Sequence, residues 1–269
     1  MTELVASAGD GGAAARAALE RTIAAGGVAV FPADGLYGLA CDPLDAGAIA
    51  RIHRIKGRDD GKPAAVMYFS PLAMRELVAE LGPRAAAAVS ALLPGPATLV
   101  VNNPGHRYPL ACRQDVERLG VRLLAGPLAG AMCPIFQTSA NVSGEPAPSR
   151  FADVPDSIVA GADLAIDGGE LTGLPSTVVD IAAIEESGSW TVLRHGALSP
   201  GDLASALASV GWSDIYPADY DEQYIDVSGL SGCFVFRMTV DPKHLLFESN
   251  ENDNSSHRRV RLPFTGAGC

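Results

Sequence analysis

No apolar run in this chain approaches the roughly 20 residues that a membrane-spanning helix needs, and Glu3 stands at the N-terminus with no basic residue before the short apolar patch. That layout does not match a secretory signal, so a soluble, cytoplasmic protein with no membrane partner is expected. Cysteine is sparse. The five residues Cys41, Cys112, Cys133, Cys233 and Cys269 lie far apart and none forms a CxxC pair, which argues against structural zinc or a disulfide framework. Positive charge is also in short supply: 20 Lys and Arg face 31 Asp and Glu, a net charge of -11. A protein that coats nucleic acid by bulk electrostatics needs a basic domain, so that class is disfavoured. Neither Gly-x-Ser-x-Gly nor the eight-residue phosphate-loop pattern occurs, and His53, His106 and His195 are scattered. With no nucleophile beside a base, positioning and electrostatic stabilisation are the expected chemistry.

What is present is a globular composition, 48% hydrophobic and 19% charged over 269 residues, enough for one large domain or a domain with an appendage. Ala-rich residues 12–25 carry Leu19 and Ile23 at helical spacing and end at Gly26-Gly27. Val28 to Phe31 reads as a buried strand, and Pro32-Ala33-Asp34-Gly35 as a turn. Asp45 is placed to cap a helix in which Ile49, Ile52 and Ile55 recur every three residues, delivering Lys56 and Arg58 at its C-terminal end. Strands are expected at 63–69, 98–101, 120–124, 134–138, 163–166, 176–181 and 191–193. Helices are expected at 71–80, 83–92, 151–159 and 203–210. The alternation implies an α/β architecture, a mixed sheet with flanking helices. Near Trp212 the Ala-rich texture stops. The expected division is a domain over residues 1–212 and an extension of unreadable role over 213–269, with one or two strands between 231 and 247 and tail thereafter.

Three groups of residues stand out: Lys56-Gly57-Arg58, Ser139-Ala140-Asn141, and Ser176 with Arg194. Two cations one residue apart at a helix end, opposite a loop of hydroxyls and amides, suit a ligand carrying phosphate or carboxylate. Arg122 sits inside the apolar run Gly120 to Leu124, where a charge requires a partner.

Seven motifs then occur in order: Phe31-Pro32-Ala33-Asp34-Gly35-Leu36-Tyr37-Gly38-Leu39; Ile55-Lys56-Gly57-Arg58 with Lys62-Pro63; Pro94-Gly95-Pro96-Ala97-Thr98-Leu99; Gly120-Val121-Arg122; Thr138-Ser139-Ala140-Asn141 with Ser143-Gly144-Glu145-Pro146; Pro175-Ser176-Thr177-Val178-Val179-Asp180; and Leu193-Arg194. Together they resemble the YrdC-like L-threonylcarbamoyladenylate synthase family over about residues 15–208. The resemblance implies a twisted α/β sheet with a concave basic cavity. It also implies an enzyme joining L-threonine, bicarbonate and ATP into threonylcarbamoyl-adenylate and pyrophosphate. That is the first step of the N6-threonylcarbamoyladenosine modification of tRNA, so tRNA or the downstream transfer machinery are the implied partners. A Mg2+ ion held mainly by the phosphates is implied as well. By the same resemblance Lys56, Arg58, Ser139 and Asn141 line the cavity, with Lys56 and Arg58 catalytic. Arg122 and Ser176 contact the threonine side, Arg194 the nucleotide, and Tyr37 and Thr138 complete the binding set.

The chain departs from the family pattern at the first motif. Both hydroxyls of the usual Pro-Thr-Asp/Glu-Thr-Val-Tyr-Gly are missing at Ala33 and Gly35, and the residues after Arg122 are apolar. The alternative expectation is a divergent YrdC-like protein that binds RNA or a nucleotide without making the adenylate.

Overall fold

The computed structural model describes residues 2–7, 11–57 and 63–208, with the backbone of two further strands at 232–239 and 255–262. Arg58 and Lys62 lie outside the described residues. The chain divides into two compact units, 1–211 and 212–269.

The helix Ala46–Lys56 follows from local chemistry. Asp45 caps it, accepting from the backbone N–H groups of Gly47 and Ala48 at 2.8 and 3.0 Å. Ile49 and Ile52 are buried along one face. Gly57 ends it with φ 58, a left-handed conformation that glycine adopts at no steric cost. Ser70 caps Pro71–Ala79 in the same manner. The helix Pro83–Leu92 has no side-chain cap of its own; the Glu185 carboxylate, about a hundred residues away, accepts from Arg84 N and Ala85 N at 3.0 and 3.2 Å.

The expected helix over 151–159 is instead a 3-10 turn, Phe151–Asp153, and a separate helix, Asp156–Gly161. Pro155 breaks it, because the residue before a proline is pushed out of the helical region, and Val154 is extended at φ -67, ψ 124.

Ten strands form one mixed sheet: β1 (Glu3–Ala6), β2 (Ala29–Pro32), β3 (Tyr37–Cys41), β4 (Ala65–Tyr68), β5 (Ala97–Asn102), β6 (Arg118–Leu123), β7 (Ile135–Ser139), β8 (Leu164–Asp167), β9 (Thr177–Asp180) and β10 (Thr191–Arg194). Their order is β1-β8-β2-β3-β7-β4-β6-β5-β9-β10. Parallel pairs such as β4–β6 and β5–β9 alternate with antiparallel ones such as β3–β7 and β5–β6. β1 escaped the sequence reading because it is only four residues long and largely exposed.

The period of two along each strand decides what the two faces carry. Leu99 and Val101 of β5, Leu119, Val121 and Leu123 of β6, and Val179 of β9 point into one large core. That core is covered by the helices Ala46–Lys56, Pro71–Ala79, Pro83–Leu92, Asp156–Gly161 and Pro200–Ala208. The opposite face has a second, smaller core in which Ala15, Leu19 and Ile23 of the helix Gly11–Ala24 pack on Phe31, Ile135 and Ile166. The remainder of this second face is the floor of a cavity, where Thr98 and Val100, Arg118, Gly120 and Arg122, and Val178 and Asp180 take the alternate positions. Among the described residues no helix is long and apolar enough to cross a membrane.

In residues 212–269, β11 (Gly232–Thr239) and β12 (Ser255–Leu262) pair antiparallel over eight positions, from Gly232 opposite Leu262 to Thr239 opposite Ser255. The first falls where strand is expected. The second lies in what reads as tail, because Arg258, Arg259 and Arg261 break up the apolar pattern of a buried strand.

Candidate functional site

The cavity has a volume of about 870 Å³ and sits over the strand ends where loops 33–36 and 172–176 meet β6 and β7. Such a position is favoured for ligands because a rigid sheet holds groups that the loops supply.

Arg122 is the centre of it. Its backbone belongs to β6, in register between Met67 of β4 and the antiparallel β5, and alternation turns its side chain away from the large core into the cavity. It is 6% exposed. One terminal nitrogen donates to the Asp34 carboxylate from the β2–β3 loop, another to Gln137 Oε1 at 3.4 Å, and Nε is buried with no acceptor. Burial pushes the Asp34 carboxyl above its ordinary range, with the guanidinium offsetting part of that rise. Burial pushes Arg122 the other way, against the opposing pull of Asp34. Each partner is thus only partly compensated by the other.

Arg194, at the end of β10, donates to Ser176 O at 2.8 Å and Ser176 Oγ at 3.1 Å, and Ser176 Oγ lies 2.8 Å from Thr98 Oγ1. Among the described residues no carboxylate pairs with Arg194, so its remaining donors suit an anionic ligand. Farther along β6, Arg118 Nη1 donates to both carboxylate oxygens of Asp180, at 3.0 Å each. Three arginines and three aspartates (Asp34, Asp115, Asp180) line the cavity, so its described lining carries no net charge. The basic cavity implied by the resemblance is therefore not carried by these residues alone.

Lys56 is 2% exposed and is not among the cavity-lining residues. Its ammonium donates to Ser139 O, to Asn141 O at 2.8 Å and to Asn141 Oδ1 at 3.1 Å. Asn141 Nδ2 donates onward to Val142 O and Glu145 O, and Ser139 Oγ donates to Asn141 Oδ1. The helix end thus shapes the loop after β7 from behind, and the end of β7 presents Thr138 and Ser139 to the cavity. Tyr37 is fully buried: its hydroxyl donates to Gly169 O at 2.8 Å, accepts from Gly168 N at 2.9 Å, and its pKa is pushed up to about 12 by burial. In this arrangement Tyr37 fixes the turn at 167–169 beside the site. Arg58 lies outside the described residues.

Of the expected residues, the structure brings Tyr37, Arg122, Thr138, Ser139, Ser176 and Arg194 to one cavity, with Lys56 and Asn141 buttressing its wall. Sequence reasoning missed Asp34, Gln137 and Thr98 as members. Asp34 stands in the first motif, and the unpaired charge of Arg122 was the signal that a carboxylate had to be found for it.

Comparison with known proteins agrees with this layout. The Sua5/YciO/YrdC family model, described as Telomere recombination, matches residues 21–196. A second model, described as Lysyl oxidase, matches residues 203–267. A threonylcarbamoyl-AMP synthase of Pyrococcus abyssi is 29% identical over 203 residues, covering 72% of this chain and 57% of that protein. The synthase of Xanthomonas campestris pv. campestris (strain B100) is 33% identical over 160 residues, 57% of this chain and 84% of that protein. Among solved structures, Pyrococcus abyssi Sua5 complexed with L-threonine superposes with a TM-score of 0.66 at 26% identity, covering 78% of this chain and 62% of that one. Escherichia coli YciO shares the fold at a TM-score of 0.63 and 22% identity, covering 76% of this chain and 98% of that one. The chain thus spans a little over half the length of the Pyrococcus relative. With its motifs in order, its sheet matched and residues 21–196 covered by the family model, the chain belongs to the Sua5/YciO/YrdC family.

Proposed function

We propose that this protein is an L-threonylcarbamoyladenylate synthase. The supporting observation is the buried Arg122 facing a cavity of about 870 Å³ that also presents Arg194, in a family whose named relatives are threonylcarbamoyl-AMP synthases. That volume suits a nucleotide with a small amino acid beside it.

In the proposed reaction threonine's amine and bicarbonate give the carbamate and water. A carbamate oxygen then attacks the α-phosphate of ATP, and pyrophosphate leaves. Nucleophile and electrophile are both anionic, so the reaction needs cations between them and a fixed mutual orientation. Arg122 and Ser176 take the threonine side and Arg194 the phosphates. Thr138 and Ser139 supply hydroxyl contacts, and Tyr37 and Asn141 hold the surrounding turns. Lys56 and Arg58 offset the phosphate charge, Lys56 through the loop it orders. A well-placed donor to the developing charge contributes a few kcal/mol. Among the described residues no cluster of three or more His, Cys, Asp or Glu side chains is placed to hold a metal. A Mg2+ ion would therefore enter with the triphosphate and be held mainly by it, lowering the charge the attacking carbamate meets. The product would serve tRNA modification in the cytoplasm. The catalytic work is assigned to residues 1–212, and 213–269 is an extension outside it.

The test is incubation of purified protein with ATP, bicarbonate and labelled threonine, following pyrophosphate release and the adenylate. Threonine-dependent release is expected. RNA binding that weakens steeply with salt, with no threonine-dependent product, overturns the proposal in favour of a binding protein.

A further inference from the structure

Two arginines share the cavity floor, and one buried hydroxyl pair stands between them. In the antiparallel β5–β6 ladder Leu99 pairs with Val121, so Thr98 is level with Arg122. On its other side Thr98 pairs with Val178 of β9, and Val178 with Arg194 of β10. All four residues line the cavity. Burial chiefly lowers the Arg122 pKa, and the charge of Arg194 lowers it further, so the two cations are near enough to repel. An anion on this row relieves both at once.

Thr98 and Ser176 are 8% and 6% exposed, and their hydroxyl oxygens lie 2.8 Å apart. The backbone around Ser176 is fixed: Thr177 N donates to Pro96 O and Ala197 N to Pro175 O, each at 2.9 Å. Only the direction of the serine hydrogen is left to set. Ser176 Oγ accepts at 3.1 Å from Arg194, which can only donate, and a hydroxyl oxygen has two lone pairs and one hydrogen. If Thr98 donates as well, both lone pairs are filled and the hydrogen is left for the cavity. The reverse arrangement spends that hydrogen on Thr98 and turns a lone pair towards the ligand, so an arriving anion selects the first. Thr98 is itself held in place. Its Cγ2 lies 3.8 Å from where a Cβ on Gly120 would stand, so the methyl faces β6 while the hydroxyl faces Ser176, and a β-branched side chain is stiff at χ1.

We infer that Thr98 is a positioning residue: it donates to Ser176 and so commits the Ser176 hydroxyl as a donor to an anionic oxygen held between Arg122 and Arg194. The inference rests on the synthase reading for the identity of that anion, not for its charge. A hydroxyl that accepts from a guanidinium and from a second hydroxyl is polarised into a stronger donor than a serine acting alone.

Steady-state pyrophosphate release by the full chain, with calorimetric titration of L-threonine and of α,β-methylene-ATP, tests this. Thr98→Val keeps the shape and removes the hydroxyl. It is expected to hold the melting temperature within about two degrees and to lose about tenfold in ligand affinity and in kcat/KM. Thr98→Ser, which keeps the hydroxyl, should stay within about threefold of wild type. In a Ser176→Ala background Thr98→Val should have no further effect, because its action passes through the serine hydroxyl. Thr98→Ala takes the place of the valine variant if that does not fold, with the same pattern expected. A valine variant as active as wild type, a serine variant as impaired as valine, or an undiminished loss in the Ser176→Ala background overturns the inference and leaves the synthase reading intact. If wild type releases no pyrophosphate, the synthase reading fails, and the same comparisons made on whichever ligand binds decide the inference alone. If neither ligand binds, both fall.

Discussion

The ammonium of Lys56 and the main-chain oxygen of Asn141 are 85 residues apart in sequence and 2.8 Å apart in space, and that contact builds one wall of the cavity. Two other acceptors, Ser139 O and Asn141 Oδ1, share the same ammonium. A lysine only 2% exposed and saturated by oxygens is a support for the loop before it is anything else.

Replacing Lys56 by alanine is therefore expected to lower stability as well as turnover. Buried acceptors left without a donor cost about 1–3 kcal/mol each, and Ser139 O and Asn141 O lose the Lys56 ammonium here, whereas Asn141 Oδ1 keeps the Ser139 hydroxyl. Thermal unfolding and pyrophosphate release should fall together. An unchanged melting temperature would show that the ammonium can be spared by the loop.

Arg194→Gln should separate binding from folding. This residue lines the cavity from an exposed position on β10, and its hydrogen bonds go to Ser176. The melting temperature should move by a degree or two, while the KM for ATP rises tenfold or more. An ATP titration of pyrophosphate release decides it, and an unaltered KM would remove Arg194 from the nucleotide site.

Gly35→Thr puts back the side chain of the family pattern but should impair function, not improve it. The Cβ alone would overlap Leu174 O, and Thr172 Oγ1 lies 2.6 Å from the same point. The strap at 172–175 must lift, at a cost of about 1–3 kcal/mol typical of overpacking. The expected result is a KM for threonine raised severalfold and a lower melting temperature. An improved KM would mean that the loop is not closed by contact with Gly35.

Asp163 supplies a pH test independent of the cavity. Its carboxylate accepts from Arg51 at 2.6 and 3.0 Å and from Val28 N at 2.9 Å, and the Arg51 hydrogen bond chiefly holds its pKa below the ordinary 3.8. A lowered folded pKa gives stability that is full above the unfolded value and is lost as the pH falls through the folded one. Asp163→Asn should thus cost about 1 kcal/mol at pH 7, a modest figure because both side chains are over a third exposed or nearly so. Urea unfolding should find that difference shrinking below about pH 4. A difference constant with pH would assign the effect to the backbone hydrogen bond instead.

By itself the amino-acid order determined the elements whose signals are local. Asp45 and Gly57 bracket the helix Ala46–Lys56 because capping and left-handed termination act within a few residues. The polar-apolar alternation Arg118-Leu119-Gly120-Val121-Arg122-Leu123 already put both arginines on the face opposite the core, since strand side chains alternate whatever the strand pairs with. The ordered motifs also carried the family, and with it most of the residues that meet in the cavity. Local signals failed at Pro155, where a helical pattern is cut in two, and at β12, where arginines mask a strand. Only the tertiary structure decided the partners. Asp34 finds Arg122 across 88 residues, and Lys56 is drawn to the loop behind the cavity instead of into it. Such pairings depend on which strands become neighbours and on how much water the closed loops leave, and neither is encoded within reach of a single turn.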